Sequence, residues 1–240
     1  MGQTGRVDHR SVLETCRALG PYSVIDEWAP GRGWRPFGEL VDSPDVATER
    51  VEQTRATLAR RADVDVSEIE LRAAASTTFL GLVARLASPL LVAAAVHRAV
   101  PALTVETLWW QPVDAGPQPI AWSSDELLVG DAAHLAQVFA DVTMPLTETF
   151  AAIFHVSEQV LRGNVASSLG GALTVVSGAR PDHAGTAADL VADVLGRPPL
   201  TGSMELHGAR DRAHLVRSSC CLYYRFPGGG LCADCVLRSR

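Results

Sequence analysis

Apolar positions recur at helical spacing along most of this chain. Between Asp8 and Ala18, Val12, Cys16 and Leu19 fall on one face of a first helix, which Gly20 should end. At that spacing Cys16 reads as a small core residue. The segment from Trp28 to Pro44 is rich in Pro, Gly and Trp and reads as a loop. Ser43-Pro44-Asp45 then has a capping serine with proline in the first turn, predicting a helix to about Arg61. Ser67-x-x-Glu70 reads as a capping box for a second long helix. Its alanine-rich interior, Ala73 to Ala87, leads to Ser88-Pro89, where the pattern must kink or restart. A further helical stretch, Leu90 to Val100, ends before Pro101.

The middle of the chain changes period. Leu103 to Trp110 is rich in β-branched and aromatic residues and is closed by Pro112. Ile120-Ala121-Trp122 and Leu127-Leu128-Val129 are candidate partner strands. Helical spacing returns over Ala132 to Phe139, Leu146 to Leu161, Val165 to Val176 and Ala184 to Leu195. Arg197-Pro198-Pro199 is the clearest linker signal. The expected fold is α+β: a mainly helical body with a small β element and a C-terminal cap. The expected division is 1–199 for the helical scaffold and 200–240 for the capping segment.

With 47% apolar and 20% charged residues, the 240-residue chain has the balance of a globular protein. No apolar run follows the first charges, so no signal peptide is expected. The most apolar stretch, Leu86 to Val96, contains Pro89 and is shorter than the ~20 residues of a membrane span. A buried helix, no transmembrane span and a cytoplasmic location are therefore expected. The total charge is −6, yet the six arginines and two aspartates from His207 onward give that end a net +4. The acidic remainder argues against a general nucleic-acid binder. The basic end suits an anionic ligand or an acidic partner.

Four of the five cysteines lie in that basic end, as Cys220, Cys221, Cys232 and Cys235. Clustered thiols in a reducing compartment favour metal over disulfides. Cys232-x2-Cys235 is a knuckle whose two sulfurs can reach one zinc ion. Cys220-Cys221 is different, because adjacent residues send their side chains in diverging directions. A 2Fe–2S cluster held by four thiolates is the wider target that such a pair suits. Zinc, a vicinal disulfide and unligated thiols remain the alternatives from spacing alone. Pro227 to Gly230 supplies a tight turn between the two pairs.

The stretch Ser219-Cys220-Cys221-Leu222-Tyr223-Tyr224-Arg225, followed by Pro227-Gly228-Gly229-Gly230-Leu231-Cys232-Ala233-Asp234-Cys235, closely resembles the C-terminal signature of the FhuF-type ferric-siderophore reductases. The resemblance implies that Cys220, Cys221, Cys232 and Cys235 hold a 2Fe–2S cluster. It also implies one-electron reduction of ferric iron in an imported siderophore, with iron(II) released in the cytoplasm. Such a cluster carries about −2 oxidised and about −3 reduced, so nearby cations raise its potential. Arg217, Arg225 and Arg238 are the candidates, with backbone N–H groups of Gly228 to Leu231 as donors to sulfur. No Gly-x-Gly-x-x-Gly fingerprint opens a helix after a strand. Electrons are then expected from an external ferredoxin or reductase, an acidic one meeting the basic tail.

Two other functions stay open: a non-redox siderophore-binding accessory protein with a structural zinc, and a general electron-transfer protein. Trp109, Trp110 and Trp122 could stack on a chelate, but core or rim packing is the commoner use. Arg162-Gly163-Asn164 reads as a helix C-cap, or as part of a ligand cleft with His155. His207 and His214 lie just upstream of the cysteines, and with four thiols present neither is needed as a ligand.

Overall fold

The computed structural model describes residues 7–114, 116–207 and 214–239. Helix α1 covers His9–Ala18, with Val12, Leu13 and Cys16 buried. Short strands β1 (Asp26–Glu27) and β2 (Arg35–Pro36) and the single turn α2 (Glu39–Asp42) occupy the expected loop. Helix α3, Pro44–Ala62, starts as expected, with the Ser43 side chain accepting from the Val46 amide at 3.5 Å and Pro44 in the first turn.

Helix α4, Leu71–Val92, is the central element. It is apolar on nearly every face and buried on nearly every face, as a core helix must be. A wider π-helical turn, Ala93–His97, continues it. The stretch Leu71–His97 is long and apolar enough to cross a membrane, but 78% of its most apolar window is covered by the protein itself. Four helices pack on it: α1, α3, α5 (Ala132–Phe154) and α6 (Glu158–Ala179), with α7 (Ala184–Leu195) beyond.

The strands are short. One four-stranded sheet has the order β1, β5 (Ile120–Trp122), β4 (Leu108–Trp110), β2, with β1 and β5 parallel and the other pairs antiparallel. Strands β3 (Ala99–Pro101) and β6 (Leu127–Val129) form a second, antiparallel pair. Near the C-terminus β7 (Met204–His207) pairs with β8 (His214–Arg217). The mainly helical α+β class is therefore correct.

Several boundaries differ from expectation. The capping box sits two residues earlier: Asp65 accepts from the Ser67 amide at 2.8 Å while Glu68 accepts from the Asp65 amide at 3.1 Å. It caps one 3-10 turn, Val66–Glu68, and not α4. An aspartate two residues upstream outcompetes Ser67 for the same role. Helix α4 runs through Pro89, and α5 runs through Pro145. In both cases burial of the flanking turns outweighs a local penalty of ~3 kcal/mol. Of the stretch Leu103 to Trp110, only Leu108–Trp110 is strand. Thr104 and Thr107 bond each other's amides through their hydroxyls at 2.9 and 3.2 Å, diverting the backbone into a turn.

Candidate metal centre

The cap begins where β8 ends. Leu222 is held in the left-handed region at φ 68°, a conformation that is uncommon without glycine. Its amide donates to Cys220 Sγ at 3.4 Å, and the Leu237 amide donates to Cys235 Sγ at the same distance. The donors to sulfur thus differ from the expected Gly228 to Leu231. Those glycines instead make the turn: Gly228 has φ 71°, and the Gly229 amide donates to the Phe226 carbonyl at 2.8 Å. A Cβ on Gly229 would lie 2.5 Å from the Tyr223 carbonyl oxygen, so only glycine fits.

All four cap cysteines are unbridged. Cys221 and Cys235 are buried; Cys220 and Cys232 are half-buried, at the outer edge. The diverging directions expected of the vicinal pair are seen in this split. Cys221 Sγ and Cys232 Sγ lie 3.7 Å apart. The hydrogen bond between them pulls the Cys221 pKa down to about 6 and raises that of Cys232. Burial raises Cys220. Among the described residues no three His, Cys, Asp or Glu side chains converge on one ion. The buried Cys16, pushed up to about 12 by desolvation, is a core residue that lies on α1 against the Pro89 carbonyl.

A buried polar chain joins the cap to the body. Ser76 Oγ, on α4, donates to the Cys221 carbonyl at 2.8 Å. Asn164 Nδ2, on α6, donates to the Ser76 carbonyl and to Ser76 Oγ, each at 3.0 Å. Asn164 Oδ1 accepts from the Arg217 guanidinium, and the Arg217 amide donates to the Asp234 carbonyl at 3.0 Å. Arg217 is 1% exposed, yet its Nε and Nη1 are buried without a hydrogen-bond partner. A buried cation with unused donors fits an anionic group beside it. Four unbridged sulfurs and this charge suit a thiolate-bound iron–sulfur group.

The sequence missed Ser76 and misplaced Asn164. Arg162-Gly163-Asn164 does not cap a helix; it lies inside α6, which starts after the His155 C-cap of α5. Arg162 pairs with Glu158 at 2.6 Å, and His155 is the C-cap of α5. Gly163 lets the cap approach: a Cβ there would stand 2.3 Å from Ser219 Oγ. Trp110 and Trp122 are buried in the sheet, and Trp109 stacks on Trp28 with centroids 4.8 Å apart, so the three pack rather than face a ligand. Of the candidate arginines, Arg225 is tied to Glu70 at 2.7 Å and Arg238 to the Leu231 carbonyl at 3.0 Å. Arg210, Asp211 and Arg212 lie outside the described residues. His207 and His214 are backbone partners, and their side chains fall outside the described parts.

Residues 217–237 match the family described as the FhuF 2Fe-2S C-terminal domain. The match spans all four cap cysteines and coincides with the segment whose signature resembles the FhuF-type family. The cofactor that goes with this segment is a 2Fe–2S cluster. No curated protein matches the chain.

Proposed function

We propose that the protein is a ferric-siderophore reductase in which Cys220, Cys221, Cys232 and Cys235 hold the 2Fe–2S cluster. The observation that carries this is the conjunction of four unbridged thiols in a FhuF 2Fe-2S segment with a buried guanidinium that has unused donors and is linked through Asn164 and Ser76 to the Cys221 carbonyl. When bound, the cluster supplies reversible one-electron chemistry. One electron then converts chelated iron(III) to iron(II), which hard oxygen chelators hold poorly. The electron comes from an external donor, a ferredoxin or a reductase, and the iron leaves in the cytoplasm.

The chain's own residues orient this transfer. Cys221 and Cys235 face inward, and Cys220 and Cys232 face the outer edge, flanked by exposed Tyr223, Tyr224 and Leu231. A bulky chelate and the donor both reach the cap from that side. The inner side is closed by α4 and α6. Residues 1–199 are the scaffold and 200–240 the cluster segment, a division of roles within one core: Leu200, Leu222 and Phe226 bury into the same apolar cluster as α4.

Anaerobic purification with iron, sulfide and zinc analysis, then electron paramagnetic resonance of the reduced sample, tests the cofactor. Two irons and two acid-labile sulfides per chain are expected. Stoichiometric zinc without sulfide would leave the non-redox accessory function in its place. Adding a ferric hydroxamate siderophore to the reduced protein should reoxidise it, saturably, with iron(II) captured by a chromogenic chelator. Equal reoxidation by any oxidant would favour a general electron carrier.

A further inference from the structure

The cap is anchored by a buried charged side chain, Arg217. Among the described residues no carboxylate forms an ion pair with Arg217. Its guanidinium is held by the amide oxygen of Asn164, which is fully buried on α6. The two 3.0 Å bonds from Asn164 Nδ2 to Ser76 fix the amide so that oxygen, not nitrogen, faces the arginine. A carboxylate at this position would bind the guanidinium more strongly and would also cancel its charge. An amide holds it in place and leaves the charge whole. The Ser76 hydroxyl that fixes Asn164 also donates to the Cys221 carbonyl at 2.8 Å, and the Arg217 amide donates to the Asp234 carbonyl at 3.0 Å, so the charge is tied to both cysteine pairs.

We propose that Asn164 is a neutral anchor that directs the full positive charge of Arg217 at the cluster, and that this pair sets the cluster's reduction potential. The proposal rests on the reading of the four cysteines as ligands of a 2Fe–2S group. A fixed cation favours the more negative, reduced form, so the pair raises the potential. Arg225 and Arg238 do not serve this role: the first is neutralised by Glu70, and the second is spread over the outer face at the Leu231 carbonyl. Asn164 and Ser76 act through Arg217 and are positioning residues.

The test is an anaerobic redox titration of the full chain with its cluster, followed optically and by electron paramagnetic resonance. In Arg217→Gln the reduced-to-oxidised ratio at fixed ambient potential should fall at least tenfold, which is 59 mV for one electron. Arg217→Lys, which keeps the charge, should fall less than threefold. Asn164→Asp keeps Arg217 but adds a carboxylate, and should fall at least threefold. Ser76→Ala removes a hydroxyl but no charge, and should change the ratio less than twofold while weakening the cap. A parent protein that holds no iron or sulfide would overturn the cofactor assignment itself. A parent that holds the cluster, with Arg217→Gln and Asn164→Asp both within twofold, would overturn only the anchor. If Arg217→Gln does not retain its cluster, Arg217→Lys and Asn164→Asp decide by the same ratios.

Discussion

Helix α4 and the cap bury their residues by different means. Along α4 most buried side chains are apolar, Phe79, Leu82, Val83, Leu86, Leu90 and Leu91 each being at most 2% exposed, and the buried Arg85 donates to the carbonyls of Gln118, Pro21 and Val24. From Val216 onward the buried set among the described residues is Val216, Arg217, Cys221, Leu222, Phe226 and Cys235, only three of which are ordinary hydrophobes. The cap is joined to the body by the apolar anchors Leu222 and Phe226, by a polar chain through Ser76, Asn164 and Arg217, by the Ser219 bond to the Gln159 carbonyl, and by the outer ion pair of Arg225 with Glu70. The body can fold on apolar burial alone, at ~25 cal/mol per Å². On the proposed function, a cap with few apolar anchors and a buried guanidinium draws part of its stability from the bound cofactor. Stability and function would then be coupled in the cap and not along α4.

The strongest way to break that contrast is to remove the metal. Anaerobic chelation should leave α4, α5 and α6 protected in amide hydrogen exchange while residues 217–239 lose protection by two or more orders of magnitude. Protection that persists in the cap without metal would mean that its packing suffices. The converse perturbation is Leu86→Ala, at a site with no exposure in the middle of α4. It should cost ~2–5 kcal/mol in global unfolding. The cluster's visible spectrum and potential should stay as they were, because Leu86 lies about three helical turns along α4 from Ser76, where that helix bonds the Cys221 carbonyl. A shifted potential in this variant would show that the two regions are not separable.

The two regions also differed in how far they could be read from sequence. Helix α3 announced itself through Ser43-Pro44, and the cluster segment through cysteine spacing, because both signals are local. The polar chain was illegible for the opposite reason. Ser76 sits inside an alanine-rich helical run, where a serine carries no signal of its own, and its partner Cys221 is 145 positions away. Asn164 after Gly163 mimics a helix C-cap, and only the docked cap reveals that the glycine makes room and the asparagine reaches Arg217. Pro89 misled similarly: a local rule was overridden by burial on both sides. Arg225 looked like surface charge for a partner, yet it is bound to Glu70, which lies just before α4.

Gly163 offers the finest test, because two effects of similar size oppose each other there. Within a helix, Gly→Ala gains up to ~1 kcal/mol from backbone entropy. Against this, the new Cβ would stand 2.3 Å from Ser219 Oγ, which donates to the Gln159 carbonyl at 2.9 Å. Ser219 must turn away and lose that bond, at ~0.5–1.5 kcal/mol, or the cap must shift. The penalty exists only while the cap is docked; the helix gain exists always. Gly163→Ala should therefore raise the melting temperature of the metal-free chain slightly. In the metal-loaded chain it should leave stability within ~1 kcal/mol of the parent and speed cluster loss to a chelator by about two- to fivefold, the rate equivalent of ~0.4–1 kcal/mol. Cluster loss at the parental rate, together with a higher melting temperature in both forms, would show that α6 and the cap do not press on each other at this point.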